Sequence, residues 1–212
     1  MSDVKNVRAE IAEARLLLLR DKRADTLQAI NFMVCDVMNS HLLAMEEVDP
    51  LARELVAACR ESLGDTHETT LCSINNLGNA LKILGKLDEA ELLNREAVAG
   101  GRTVRGDTHQ DTLTSIQNLA DLLRVVGKLA EAEPLIREAV AGFRNTLGEK
   151  DARTLAAIVD LSSVLDCVGQ MAEAELLGRE AFAGFQHVLG HENGGRQQPG
   201  LPSWQGGQAC GV

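Results

Sequence analysis

The tetrapeptide Gly64-Asp65-Thr66-His67 returns 42 residues later as Gly106-Asp107-Thr108-His109, and the phase carries on at Gly148 and Gly190. A fixed period of this length constrains the fold more than any local pattern does. One such unit cannot bury its apolar face alone, so the units must stack on one another. Ungapped alignment of residues 64–105 with 106–147 gives 25 identities in 42, and 106–147 with 148–189 gives 20 in 42. Chance does not do this twice.

Each unit carries two helical patterns around a glycine. Leu71, Ile74, Leu77, Leu81 and Leu84, then Leu113, Ile116, Leu119, Leu123 and Val126, recur at spacings of three and four and so form one apolar stripe of a first helix, A. Thr108 with Asp111, and Asp65 with Glu68 or Asp151, supply the chemistry that starts it. Gly85, Gly127 and Gly169 end it, because glycine reaches the left-handed conformation without strain. A second helix, B, follows at once from Leu87, Leu129 and Met171. In it Ala90, Ala97, Ala132, Ala139, Ala174 and Ala181 recur where two helices must approach closely. Upstream, Asp25 to Met45 reads as a degenerate helix A and Leu51 to Leu63 as a helix B two residues out of phase, with Glu10 to Ala14 resembling the start of one more helix B.

Ile74-x-x-Leu77-Gly78-x-x-Leu81, followed by Gly85, Ala90 and Ala97, resembles the tetratricopeptide repeat. The 42-residue period with Gly-Lys-x-x-Glu-Ala-Glu is similar to the kinesin light chain and nephrocystin-like branch of that family. The resemblance implies an all-α, right-handed α-solenoid of antiparallel helix pairs, whose A helices line a concave groove. It divides the chain into a leading half repeat at 1–24, a degenerate repeat at 25–63, three repeats at 64–105, 106–147 and 148–189, and a Gly/Pro/Gln-rich disordered tail at 190–212. It also implies a non-enzymatic scaffold that binds a protein or an extended peptide. The alternative is a light-chain-like cargo adaptor, or a regulatory module that docks through its outer B faces.

Composition narrows the partners. With 31 acidic against 21 basic residues the net charge is -10, which repels a phosphate backbone, so nucleic acid is excluded as the expected partner. The longest apolar run near the N-terminus is Leu16 to Leu19, too short for a signal or a membrane span, and a cytoplasmic location without membrane contact is expected. Five scattered cysteines with no C-x-x-C spacing read as reduced thiols rather than a zinc site. No metal and no cofactor is expected. Gly85-Lys86 lacks the remaining residues of a phosphate loop, and His187 and His191 straddle Gly190 at a helix end. His67 and His109 occupy one repeat position and read as residues of the helix start, so no catalytic set is assigned.

The expected site is the face of helix A that the apolar stripe leaves free. It carries Asn75, Asn76, Asn79 and Lys82 in one repeat, Gln117, Asn118, Asp121 and Arg124 in the next, and Asp160 and Ser163 in the third. Asparagine is a poor helix former, so three within five residues cost helix stability that Glu or Lys would not. Side-chain amides both donate and accept, which suits the backbone of an extended peptide. Asp160 is expected to break this amide ladder. Phe182, Phe185, Val188 and Leu189 on the last helix B leave an uncapped end, and three outcomes are open: the segment Leu201 to Trp204 folds back over it, it self-associates with another copy, or the chain is a fragment of a longer array.

Overall fold

The structure, a computed structural model, describes the backbone of residues 2–40 and 45–192. Among these residues it is all helix. The elements are α1 (Ser2–Arg20), α2 (Ala24–Ser40), α3 (Met45–Leu63), α4 (Glu68–Ile83), α5 (Leu87–Arg105), α6 (Gln110–Val125), α7 (Leu129–Leu147), α8 (Ala152–Val168) and α9 (Met171–Glu192). The even-numbered helices are the A helices and the odd-numbered ones the B helices of an α-solenoid.

Two departures from the sequence reading concern phase. Helix α3 opens at Met45, 42 residues before Leu87 opens α5, so this B helix is in phase. Its register was hidden because Val48 and Leu55 stand where Ala90 and Ala97 stand in α5. At the other end α9 runs through Gly190 to Glu192 and opens no new unit there. The expected tail, including Cys210 and the segment Leu201 to Trp204, lies outside the described residues, as do the side chains of Leu189 and His191.

Each A helix ends as the sequence predicts. Gly85, Gly127 and Gly169 sit at φ 74°, 78° and 86°, where an L side chain would be strained. Two backbone bonds then close the turn, such as Gly85 N–H to Lys82 O at 3.1 Å and Lys86 N–H to Leu81 O at 2.9 Å. The A and B helices of a unit are held close by small residues. Ala90, Ala132 and Ala139 are fully buried, and Ala97 and Ala181 nearly so. Gly100, Gly142 and Gly184 extend this pattern: a Cβ at any of them would stand 2.4 Å from Leu71, Leu113 or Leu155 of its own repeat.

The apolar stripe is buried as expected, with Leu71, Ile74, Leu77 and Leu81 of α4 between 0% and 4% exposed. Successive A helices also touch one another, α2 with α4, α4 with α6 and α6 with α8, while α5, α7 and α9 reach one another mainly through long side chains. From α3 onward the array is therefore tight along its A side and open along its B side, whereas α1 and α3 touch directly.

Candidate functional site

The A helices are placed by their first residues. His67 and His109 cap α4 and α6: each ring Nδ1 accepts a hydrogen bond from a backbone N–H two residues on, Thr69 and Asp111, at 3.2 Å. Asp151 does the same in α8, accepting from Arg153 N–H at 2.9 Å. The expected caps Thr108 and Asp65 are therefore replaced by the residues at the histidine position. An imidazole nitrogen there offers the same lone pair as the carboxylate of Asp151.

None of the ten expected site residues is fully exposed; Asn75 is buried and the other nine are half-buried. The structure brings most of them together in bonds between neighbouring A helices. Asn76 Nδ2 donates to Asn31 Oδ1 at 3.0 Å and approaches Cys35 Sγ at 2.9 Å. Asn118 Nδ2 donates to Asn75 Oδ1 at 3.2 Å, and Gln117 Nε2 donates to Asp160 Oδ2 at 2.6 Å. Asn76, Asn118 and Asp160 share one repeat position, and each bonds back to the preceding A helix. Asp160 thus continues the ladder with its polarity reversed, since a carboxylate can only accept. Burial raises the Asp160 carboxyl above its ordinary range and nearby Asp121 adds to this, while the Gln117 bond works against it.

A charged cluster sits beside this ladder. Lys82 Nζ donates to Asp121 Oδ2 at 2.6 Å, and Arg124 Nη2 donates to Asp121 Oδ1 at 2.8 Å. Burial pushes Asp121 up, but Lys82 and Arg124 outweigh it and hold the carboxyl below its usual value. Two expected residues join neither group. Ser163 donates to the carbonyl of Val159 in its own helix, and Asn79 Oδ1 is buried without a hydrogen bond.

The B side carries a second ladder that the sequence reading did not recognise. Arg53, Arg95 and Arg137 each reach a glutamate 36 residues ahead, respectively Glu89, Glu131 and Glu173, and Arg60, Arg102 and Arg144 reach Glu96, Glu138 and Glu180 in the same way. Its signal was the dipeptide Arg-Glu at 53, 95, 137 and 179. The Arg of each dipeptide from 53 to 137 points forward, and the Glu at 96, 138 and 180 accepts from behind. Arg179 pairs with Glu175 of its own helix.

Within the groove, a cavity of about 330 Å³ opens between α2, α4 and α6 and is lined by Asn31, Phe32, Cys35, Cys72, Asn76 and Arg105, among others. Burial pushes the Cys35 thiol up to about 11, with the charges of Cys72 and Asp36 adding to it, and burial also raises Cys72 despite the Arg105 guanidinium beside it. Both are therefore protonated and unreactive at neutral pH. Cys35, Cys59 and Cys72 are free thiols, as expected. Among the described residues, no group of three His, Cys, Asp or Glu is placed to hold a metal ion, and no helix is long and apolar enough to cross a membrane.

Comparison with known proteins agrees with this architecture. Two tetratricopeptide repeat family models match, one over residues 70–111 and the other over 111–187. None of the curated proteins matches. The nearly identical TPR-like repeats of a candidate kinesin light chain from Podosopora anserina superpose in two crystal structures. The first, of a single-substitution variant, gives a TM-score of 0.60 at 21% identity, covering 87% of this chain and 96% of that one. The second gives 0.57 at 21% identity, over 86% and 96%. BtubC (BKLC) from P. vanneervenii gives 0.61 at 16% identity, over 96% and 97%. At these identities the likeness is one of fold.

Proposed function

The chain belongs to the tetratricopeptide-repeat family, whose arrays serve as protein-interaction scaffolds, and on that premise we propose that its A-helix groove binds an extended peptide segment of a partner protein. The observation that supports this reading most is the changing identity of the groove rungs. Asn76–Asn31 and Asn118–Asn75 each set an amide against an amide, whereas Gln117–Asp160 sets an amide against a carboxylate, so the rung chemistry changes along the array. A rung that served only to join helices would repeat, as the Arg–Glu rungs on the B side do. A groove that reads a sequence must differ from repeat to repeat. No step of this reading needs a cofactor, a metal or a nucleic acid, and a partner of cytoplasmic origin suits it.

The test begins with affinity capture from cytoplasm and identification of the bound segment, which is then titrated by calorimetry into the full chain. Asn76→Ala with Asn118→Ala should abolish binding while helicity and cooperative melting persist. Undiminished affinity in that variant would contradict a ligand path through the groove.

A second reading rests on a separate observation, the B helix α9. Val140 and Phe143 of α7 are 3% and 0% exposed beneath α8, whereas Phe182, at the position of Val140, is 55% exposed and Phe185 is half-buried. Met171 is 65% exposed on the same helix. Among the described residues no helix covers this face, and we propose that it pairs with a second copy of the chain. Light scattering should give a dimer that Phe182→Glu converts to monomer; a wild-type monomer at high concentration would dismiss the pairing.

A further inference from the structure

One repeat position is chemically out of line with its sisters. Leu63 and Leu147 end α3 and α7, and the residue in the same place at the end of α5 is Arg105. Its side chain keeps only 9% of its exposure, and its Nη2 is buried without a hydrogen bond. The guanidinium lines the groove cavity between α2, α4 and α6. Leaving a buried donor of a charged group unsatisfied is costly, so an acceptor brought in by a ligand would recover that cost.

The surroundings restrict which acceptor. Glu68 Oε1 lies 3.4 Å from Nη2 and Asp111 Oδ2 lies 3.6 Å from Nη1, close enough to neutralise the guanidinium but not bonded to it. Two carboxylates against one guanidinium leave the spot with a local charge of minus one, which disfavours an anion. A cation would face Arg105 itself. A neutral group with an acceptor and a donor side by side satisfies both partners. Leu71 and the 60% exposed Phe32 supply apolar surface in the same cavity, among polar residues such as Thr69 and Thr114.

We infer that Arg105, Glu68 and Asp111 form a carboxamide subsite that receives a Gln or Asn side chain of the bound peptide. The carboxamide oxygen accepts from Arg105 Nη2, its NH₂ donates to Glu68 or Asp111, and the side-chain stem lies against Phe32. This deepens the groove reading and rests on it.

The probe is a positional library of acetylated, amidated extended peptides carrying Gln, Asn, Glu, Lys or Leu at each place in turn, offered to the full chain. Gln or Asn should be preferred over Leu and Glu at one position by about tenfold, the size of one hydrogen bond to a charged group. Arg105→Leu restores the residue found at 63 and 147, and should erase that preference while leaving the other positions unchanged. Glu68→Gln with Asp111→Asn leaves the guanidinium uncompensated and should turn the preference toward Glu, a gain that misfolding cannot imitate. Peptides that bind without a carboxamide preference, a wild-type preference for Glu, or a preference that survives Arg105→Leu would each overturn the subsite alone. Failure of the wild type to retain any library peptide would overturn the groove reading and the subsite with it.

Discussion

The two sides of the array are tied by different chemistry for one geometric reason. On the A side neighbouring helices lie close enough for short amides to bridge them, as Asn118 bridges to Asn75. On the B side, from α3 onward, they splay, and long charged side chains span the gap, as Arg102 does to Glu138. From α3 to α9 the long pairs are the same in every repeat and those cited are about 40% exposed, so they set the pitch of the solenoid there at little energetic gain. The short pairs are more deeply buried and change from amide–amide at Asn76–Asn31 and Asn118–Asn75 to amide–carboxylate at Gln117–Asp160. On the reading proposed above, that change marks the side that discriminates between partners.

The contrast breaks first if the close spacing is removed. Ala132 is fully buried where α6 and α7 meet, and Ala132→Leu should destabilise the chain by about 1–3 kcal/mol in thermal or urea melts. A melting temperature left in place would mean that the helices are not packed as described. Next come the rungs themselves. A double-mutant cycle on Asn75 and Asn118 should give a coupling of about 1 kcal/mol that is insensitive to salt. The same cycle on Arg102 and Glu138 should give about 0.2–1 kcal/mol at low salt and less at about 1 M. Equal couplings with equal salt dependence would erase the distinction between the two sides.

Asp160 sharpens the comparison within the A side. Its carboxyl titrates above the unfolded value because it is buried, so between those two pH values the folded chain holds more protons than the unfolded one, and stability falls as pH rises through that window. Asp160→Asn should therefore stabilise the chain at neutral pH, and the gain should shrink as the pH falls toward the ordinary carboxylate range of about 4. A gain independent of pH would mean that the buried charge is not its source. The smallest effect is expected at the caps: His109→Asp reproduces Asp151 of the next repeat and should change stability by no more than about 0.5 kcal/mol, checked by urea titration.

Period and polarity pattern made the helix pairs, the glycine turns and the small-residue junctions legible in the sequence. They also placed the ten groove residues on one side. Pairing was not legible, because a bond such as Gln117 to Asp160 joins residues 43 apart and depends on how closely two A helices approach, which no period states. The cap Asp151 was legible, but those of α4 and α6 were misplaced at Asp65 and Thr108, because histidine is an unusual cap. Arg105 escaped notice for a related reason: its signal is a departure from Leu63 and Leu147, and a period draws the eye to what recurs.

The central claim is that the partner binds on the A side. Calorimetry of the captured partner segment against two variants decides it: Asn76→Ala with Asn118→Ala on the A side, and Arg102→Ala with Glu138→Ala on the B side. A loss of about tenfold or more in affinity, or about 1.4 kcal/mol, is predicted for the first, and little change for the second. Binding that survives the A-side substitutions and fails with the B-side ones would contradict the claim and assign recognition to the outer helices.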